Sequence, residues 1–258
     1  LYAKGCLPIQ QCPMISIVGT RVPTEYGKQM AALFTKGLVE KGFTIVSGFA
    51  RGIDQIAHDT ALQEGGRTIA ILGSGLSKIY PAENKKLIAD MVERGTFLTE
   101  FLPSAGPEQY HFPQRNRIIS GASLATVIIE ARARSGALIT AYSAFGQNRE
   151  VFAVPGNTTQ SASDGTNNLI KNGIAHMAGS VQDIIDELPA HTIPQPELTP
   201  EEQKILLLLS AKPRHINEIA RMQNIPVEKI AETLTTLVLK DTITEVTANI
   251  FSITKTRK

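Results

Sequence analysis

Short apolar runs recur along the first 188 residues, separated by polar or amphipathic stretches. MISIVG, FTIVSG, RTIAILG, TFLTE, LATVIIEA and EVFAVPG each hold three to five apolar residues in succession or nearly so. Runs this short and this rich in β-branched residues predict strands buried on both faces of a parallel sheet. YGKQMAALFTKGLVEKG, DQIAHDTALQEGG, AENKKLIADMVERG and ALITAYSAFGQN lie between them with helical spacing, and several end near a Gly, as helix C-termini often do. Strand and helix in alternation predict an open α/β sheet with right-handed crossovers, filling a domain over residues 1–188.

Beyond that point the pattern changes. Residues 189–199, PAHTIPQPELT, contain three prolines and little periodicity, which predicts a linker. TPEEQKILLLLSA then opens with Thr199 and Glu202 in capping-box spacing. HINEIARMQ and PVEKIAETLTTLVLK follow as two further amphipathic helices, and ITEVTANIFSIT reads as two short strands. Three helices and a hairpin predict a winged helix-turn-helix over residues 200–258.

Composition narrows the partners. The 258 residues are 42% hydrophobic and 19% charged, with a net charge of +2. No global positive field exists to attract nucleic acid, so any polyanion site must come from local clustering. Two cysteines, Cys6 and Cys12, give neither a disulfide framework nor a structural zinc site, which points to a reducing, cytoplasmic setting. No apolar run approaches the ~20 residues that span a membrane. There is no signal peptide, and LYAKGCLPIQQCP starts abruptly, as if an upstream segment had been left out.

Ligands of open parallel sheets bind at the carboxyl ends of the strands. Gly19-Thr20-Arg21 follows the first run, Ser47-Gly48 and then Arg51 the second, Gly73-Ser74-Gly75 the third and Pro155-Gly156-Asn157 the last. Glycine there admits a ligand or a tight turn, and amides at the following helix starts form anion sites. HFPQRNRIISGAS, residues 111–123, adds His111, Phe112, Arg115, Asn116 and Arg117 in a span with no acid between Glu108 and Glu130. Arginine forks pair bidentately with phosphate oxygens, so a phosphate-bearing ligand is expected. The same glycines also serve as ordinary turn residues. GTRVPTEYG lacks the dinucleotide fingerprint and GSGLSK lacks the P-loop spacing, so no cofactor is expected. Asp54 and His58 read as a helix-capping acid and a packed histidine rather than metal ligands. Ser47 and Ser135 lack a nucleophile elbow. Glu130 is expected to orient an arginine such as Arg132 by an ion pair, rather than to act as a base.

ISIVGTRVPTEYG, IVSGFARGIDQIAH, TIAILGSGLSKIYPAEN, HFPQRNRIISGAS, VIIEARARSGALITA, VFAVPGN and DGTNNLIKNG, in this order, resemble the DNA-processing protein A family (DprA, also called Smf) over roughly residues 1–188. The tail resembles that family's small winged-helix domain. The resemblance implies an extended Rossmann-like core that dimerises, often preceded by a helical domain. It implies a non-enzymatic, cytoplasmic bacterial protein that binds incoming single-stranded DNA in natural transformation, protects it and helps to load the RecA recombinase. Gly19, Thr20 and Arg21 would then take a phosphate, with Ser47, Gly48, Arg51 and Gly156 in the same DNA-binding set. Phe112 would offer a stacking or packing face, Arg115 and Arg117 would supply charge, and Asn116 would touch DNA or brace its loop. Each base stacked on an aromatic ring is worth ~1–3 kcal/mol. One position departs from some family members, which carry Lys three residues before the Phe; Gln109 stands there, and Lys78 or Lys85 would have to replace it.

In the tail, PVEKIAETLTTLVLKD sets Lys229 and Lys240 against Glu228, Glu232 and Asp241, so the winged helix reads as a protein-contact or oligomer module rather than a DNA reader. The enzyme alternative is a nucleotide phosphoribohydrolase of the lysine-decarboxylase-like group, whose P-G-G-x-G-T loop and downstream Glu resemble Pro155-Gly156-Asn157 only in part. TTQSASDGTN follows here, and the catalytic half of that pattern is not visible.

Overall fold

The computed structural model describes residues 1–6, 13–82, 85–189, 198–240 and 242–253. The chain divides into two compact units, Leu1–Pro194 and Gln195–Lys258. Residues 190–197 of the expected linker, together with Cys12, lie outside the described residues, whereas Cys6 carries an exposed free thiol. Among the described residues, no helix is long and apolar enough to cross a membrane.

Six strands fall on the six apolar runs: β2 (Met14–Val18), β3 (Thr44–Ser47), β4 (Thr68–Ile71), β5 (Thr96–Thr99), β6 (Ala125–Ile128) and β7 (Glu150–Ala153). Two further strands, β1 (Tyr2–Gly5) and β8 (His176–Met177), extend the sheet at its edges. The order is β1-β5-β4-β3-β2-β6-β7-β8. Only β1 runs antiparallel, with Ala3 opposite Leu98. The chain therefore adds β3, β4 and β5 to one side of β2, then returns to place β6 on the other side. That reversal puts a topological switch point between β2 and β6, where a crevice opens beyond the carboxyl ends of the strands.

The helices cover both faces. On one face Ile15 and Ile17 pack with Phe34 and Leu38 of α1 (Glu25–Glu40) and with Ile53 and Ala57 of α2 (Ile53–Gln63). On the other face Val18, Val46 and Ile128 meet Ile119 of α4 (His111–Gly121) and Ala137 and Ala141 of α5 (Gly136–Gly146). Two-sided burial is why each strand reads as a nearly unbroken apolar run, and each fully buried Ile or Phe contributes roughly 1.5–3 kcal/mol. Leu87 and Met91 of α3 (Lys85–Arg94) close a smaller core against Phe49 and Phe97. Helices α6 (Asp164–Lys171) and α7 (Val181–Glu187) complete the unit.

The stretch from His111 is a helix, so Asn116 sits on a helix and not in a loop. Pro113 falls in the first turn, where a missing N–H breaks no helical bond. Its polar residues are divided by the helix geometry: Arg115 and His111 are buried, while Arg117 is exposed.

The second unit consists of α8 (Pro200–Ala211), β9 (Arg214–His215), α9 (Ile216–Gln223), α10 (Val227–Leu239), β10 (Ile243–Thr247) and β11 (Ile250–Ile253). Its strands form one antiparallel sheet in the order β10-β11-β9. Ile205, Leu209, Ile219, Leu234, Leu237 and Phe251 form its core. The capping box of Thr199 and Glu202 is formed, with the Thr199 N–H donating to Glu202 at 2.7 Å. Three helices with a small sheet make the plan of a winged helix.

Candidate functional site

The carboxyl edge of the sheet holds a cleft of about 720 Å³ beside the switch point. Gly19 and Arg21 from the β2 loop, Phe112, Arg115 and Asn116 from α4, and Ser135 at the start of α5 line it. A smaller cleft of about 270 Å³ is lined by Arg21, Val22, Arg51, Tyr80 and Phe112, with Gly48 at its base. Arg21 and Arg51 are exposed. Tyr80 is 42% exposed and its ring lies 5.9 Å from that of Phe112. The Arg21 guanidinium stands 5.7 Å from the Phe112 ring centre, a cation–π contact that aims the charge across the mouth of the cleft.

Beneath this surface lies a buried frame. Asp54, in the first turn of α2, turns back and accepts the Gly48 N–H at 3.1 Å and the Ala50 N–H at 3.3 Å. Arg115 reaches in from α4; its Nη1 donates to the Gly48 carbonyl at 2.6 Å and also to the Ile71 carbonyl. One side chain thus ties α4 to the carboxyl ends of β3 and β4. Gly48 fits between the two charges only because it lacks a side chain: a Cβ there would lie 2.7 Å from the Asp54 carboxylate and 2.8 Å from Arg115 Nη2. The next residue, Phe49, holds a left-handed φ of 58°, a strained conformation for a bulky side chain, and is fixed by an edge-on contact with Phe97 at 5.0 Å. Burial lowers the Arg115 guanidinium to about 10, with Asp54 opposing the shift and Arg21 adding to it. Burial raises Asp54, against the pull of Arg115 and of its two backbone bonds.

The expected site residues separate into groups. Gly19, Arg21, Gly48, Arg51, Phe112, Arg115 and Asn116 come together around the two clefts. Arg115 does so from below, as part of the frame. Ser47 is buried and donates to the Ile17 carbonyl at 2.6 Å. Arg117 points elsewhere on α4 and pairs with Glu100. Gly156 sits under Ser163, whose Oγ would be 2.0 Å from an added Cβ, and both its N–H and its carbonyl are bonded to Asn167. Several of the amides expected to form anion sites are engaged within the protein instead. The Thr20 N–H donates to the Glu130 carbonyl at 2.8 Å, the Val22 N–H to Thr20 Oγ1 at 3.3 Å, and the Gly48 and Ala50 amides to Asp54.

Other expectations change in detail. Asp54 caps the β3 turn rather than its own helix. Glu130 bonds to Thr24 through both carboxylate oxygens and not to Arg132, which is exposed beside Tyr26 and Thr159 in a separate cleft. Gln109 lines the larger cleft, Lys78 is exposed on the loop before Tyr80, and the Lys85 side chain lies outside the described residues. Tyr80 was missed by sequence reasoning. Its position after β4, on the same carboxyl edge and in a Pro-bearing turn, was the available signal. No group of three metal-ligating side chains occurs among the described residues.

His58 is wholly buried, with Nδ1 2.6 Å from Thr68 Oγ1. Thr68 donates its own proton to the Ile45 carbonyl at 2.9 Å, so Nδ1 carries the hydrogen that Thr68 Oγ1 accepts. Burial, with Arg115 adding, lowers His58 from 6.5 to about 3. The unfolded chain takes up this proton first as pH falls, so the stability contributed is present above pH 6.5 and is lost towards pH 3. Unfolding free energies from urea titrations across that window should fall with a slope of up to about 1.4 kcal/mol per pH unit from this group. His58→Gln should flatten the slope; an unchanged slope in the variant would remove His58 as its source.

Comparison with known proteins adds a separate line of evidence. The family model described as DNA recombination-mediator protein A matches residues 1–189, and the DprA winged helix domain matches residues 189–249. The DNA processing protein DprA of Bacillus subtilis is 43% identical over 194 residues, which cover 75% of this chain and 65% of that protein. Protein Smf of Escherichia coli is 40% identical, covering 80% of this chain and 57% of its own length. The chain thus spans less than two thirds of these curated relatives. The X-ray structure of DNA processing protein A from Streptococcus pneumoniae superposes with a TM-score of 0.69 at 41% identity, covering 73% of this chain and 66% of that one. The Helicobacter pylori protein, whose structure is described for its unique single-stranded DNA binding mode, gives 0.66 at 33% identity, covering 72% and 84%.

Proposed function

The chain belongs to the DNA recombination-mediator protein A family, and from that premise we propose that its carboxyl-edge clefts bind single-stranded DNA with little sequence preference. The observation that carries this is the convergence of exposed Arg21 and Arg51 with the rings of Tyr80 and Phe112. Guanidinium groups track a phosphate backbone, and aromatic faces stack unpaired bases of any identity. A duplex hides its base faces and would lose the second half of this recognition. The Helicobacter pylori relative, described for its single-stranded DNA binding mode, supports the reading.

The role extends to the family's sphere: protection of incoming DNA in natural transformation and delivery of the strand to the RecA recombinase, by a cytoplasmic homodimer. It is a binding role, not a catalytic one. The winged helix serves partner or oligomer contacts. In α10 and at its end, Lys229 pairs with Glu201 at 3.5 Å and Lys240 with Glu202 at 2.8 Å, so both cations already face carboxylates.

The test is a titration of labelled single- and double-stranded oligonucleotides over a salt series. Single strands should bind more tightly, and log K should fall against log salt by about 0.7 for every phosphate neutralised. Equal affinity for duplex, or a flat salt dependence, rejects the proposal.

A further inference from the structure

Glu130 follows β6, and only 1% of its surface is exposed. It touches the Arg21 loop at both ends. Its main-chain carbonyl accepts the Thr20 N–H at 2.8 Å. Its carboxylate accepts the Thr24 N–H at 2.9 Å through Oε2 and the Thr24 hydroxyl at 2.7 Å through Oε1. The Thr24 hydroxyl in turn accepts the Gly27 N–H at 3.1 Å and so caps α1. Gly27 leaves room for this: a Cβ there would lie 2.5 Å from Glu130 Oε2. Between the two anchored residues lie only Arg21, Val22 and Pro23, all outside regular secondary structure.

We propose that Glu130 is the positioning residue for Arg21. It clamps the loop on both sides, so that the guanidinium is held over Phe112 before any ligand arrives. A loop fixed in advance loses less entropy on binding, and that difference appears as affinity. Glu130 itself touches no ligand; it acts through the loop. The inference rests on the single-stranded DNA reading above, and it gives an internal acid a part in recognising a polyanion. Buried and satisfied by hydrogen bonds to the loop, the carboxylate does not confront the phosphates.

The experiment compares Arg21→Ala, Glu130→Ala and the double variant in the full chain, by anisotropy of a labelled oligothymidine over a salt series, with thermal melts in parallel. Glu130→Ala should weaken binding roughly three- to tenfold. Its salt slope should move towards that of Arg21→Ala, and the double variant should bind no more weakly than Arg21→Ala alone. Losses that multiply in the double variant overturn the clamp, as does a folded Glu130→Ala protein that binds like wild type. Should Glu130→Ala fail to fold, Thr24→Val removes one of the clamping bonds and must show the same non-additivity at smaller amplitude; multiplying losses overturn the clamp there too. An Arg21→Ala protein with full affinity is a different failure, because it removes Arg21 from the DNA site and the clamp with it.

Discussion

Arg21→Ala should lose roughly ten- to a hundredfold in affinity for single-stranded oligonucleotides while its melting temperature stays where it was. The side chain is exposed and makes no ion pair among the described residues; its one marked contact is with the Phe112 ring. Nothing in the fold depends on it. A hydrogen bond to a charged group contributes about 1.5–3 kcal/mol, and each 1.4 kcal/mol is a factor of ten in affinity. The loss should be accompanied by a shallower salt dependence, smaller by about 0.7 in log–log slope if one phosphate contact goes. Arg21→Lys should recover only part of the affinity, since an ammonium keeps the charge but not the planar fork. Full affinity in a folded Arg21→Ala protein would place the strand elsewhere on the molecule.

Asp54→Ala should have the largest effect on stability, about 3–5 kcal/mol. The substitution leaves the buried Arg115 without its counter-charge and the Gly48 and Ala50 amides without their acceptor. For a unit of this size the melting temperature should drop by roughly 6–20 °C. DNA binding at low temperature should fall as well, because the β3 turn that Asp54 holds carries Arg51. Denaturant titrations of the single variant and of Asp54→Ala combined with Arg115→Met provide the check. The combination removes the stranded charge and should be less destabilised than the two single losses added together. A single variant that loses less than about 1 kcal/mol would mean that water reaches Arg115 and that the frame is not dry.

Much of the fold was legible because the sheet is buried on both faces. β2, β3, β4 and β6 have no exposed residue, so hydrophobicity alone marks them. β1 and β8 were not legible because their residues are all exposed, and such edge strands owe their existence to neighbours rather than to their own composition. The candidate clefts were legible at Arg21 and Phe112, where an arginine and an aromatic stand beside strand ends. It misled at Arg115 and Arg117. Their lack of nearby acids is a property of the chain, whereas charge balance is settled in space. Glu100 is 17 positions from Arg117, and the carbonyls that hold Arg115 belong to residues 67 and 44 positions away. The glycine turns misled in the same manner, since the groups that engage the amides of Thr20 and Gly156 come from distant segments, Glu130 and Asn167.

That last feature bears on how the proposed strand would be held. A cradle of main-chain amides has a fixed spacing and admits one phosphate in one place. Here the amides of Thr20, Val22, Gly48, Ala50 and Gly156 are engaged within the protein, and the smaller cleft presents the side chains of Arg21, Arg51, Tyr80 and Phe112. A ring accepts the next base as readily as the last. If a single strand binds here as proposed, its affinity would depend little on which base meets each ring, while the frame of Asp54, Gly48 and Arg115 stays fixed beneath it.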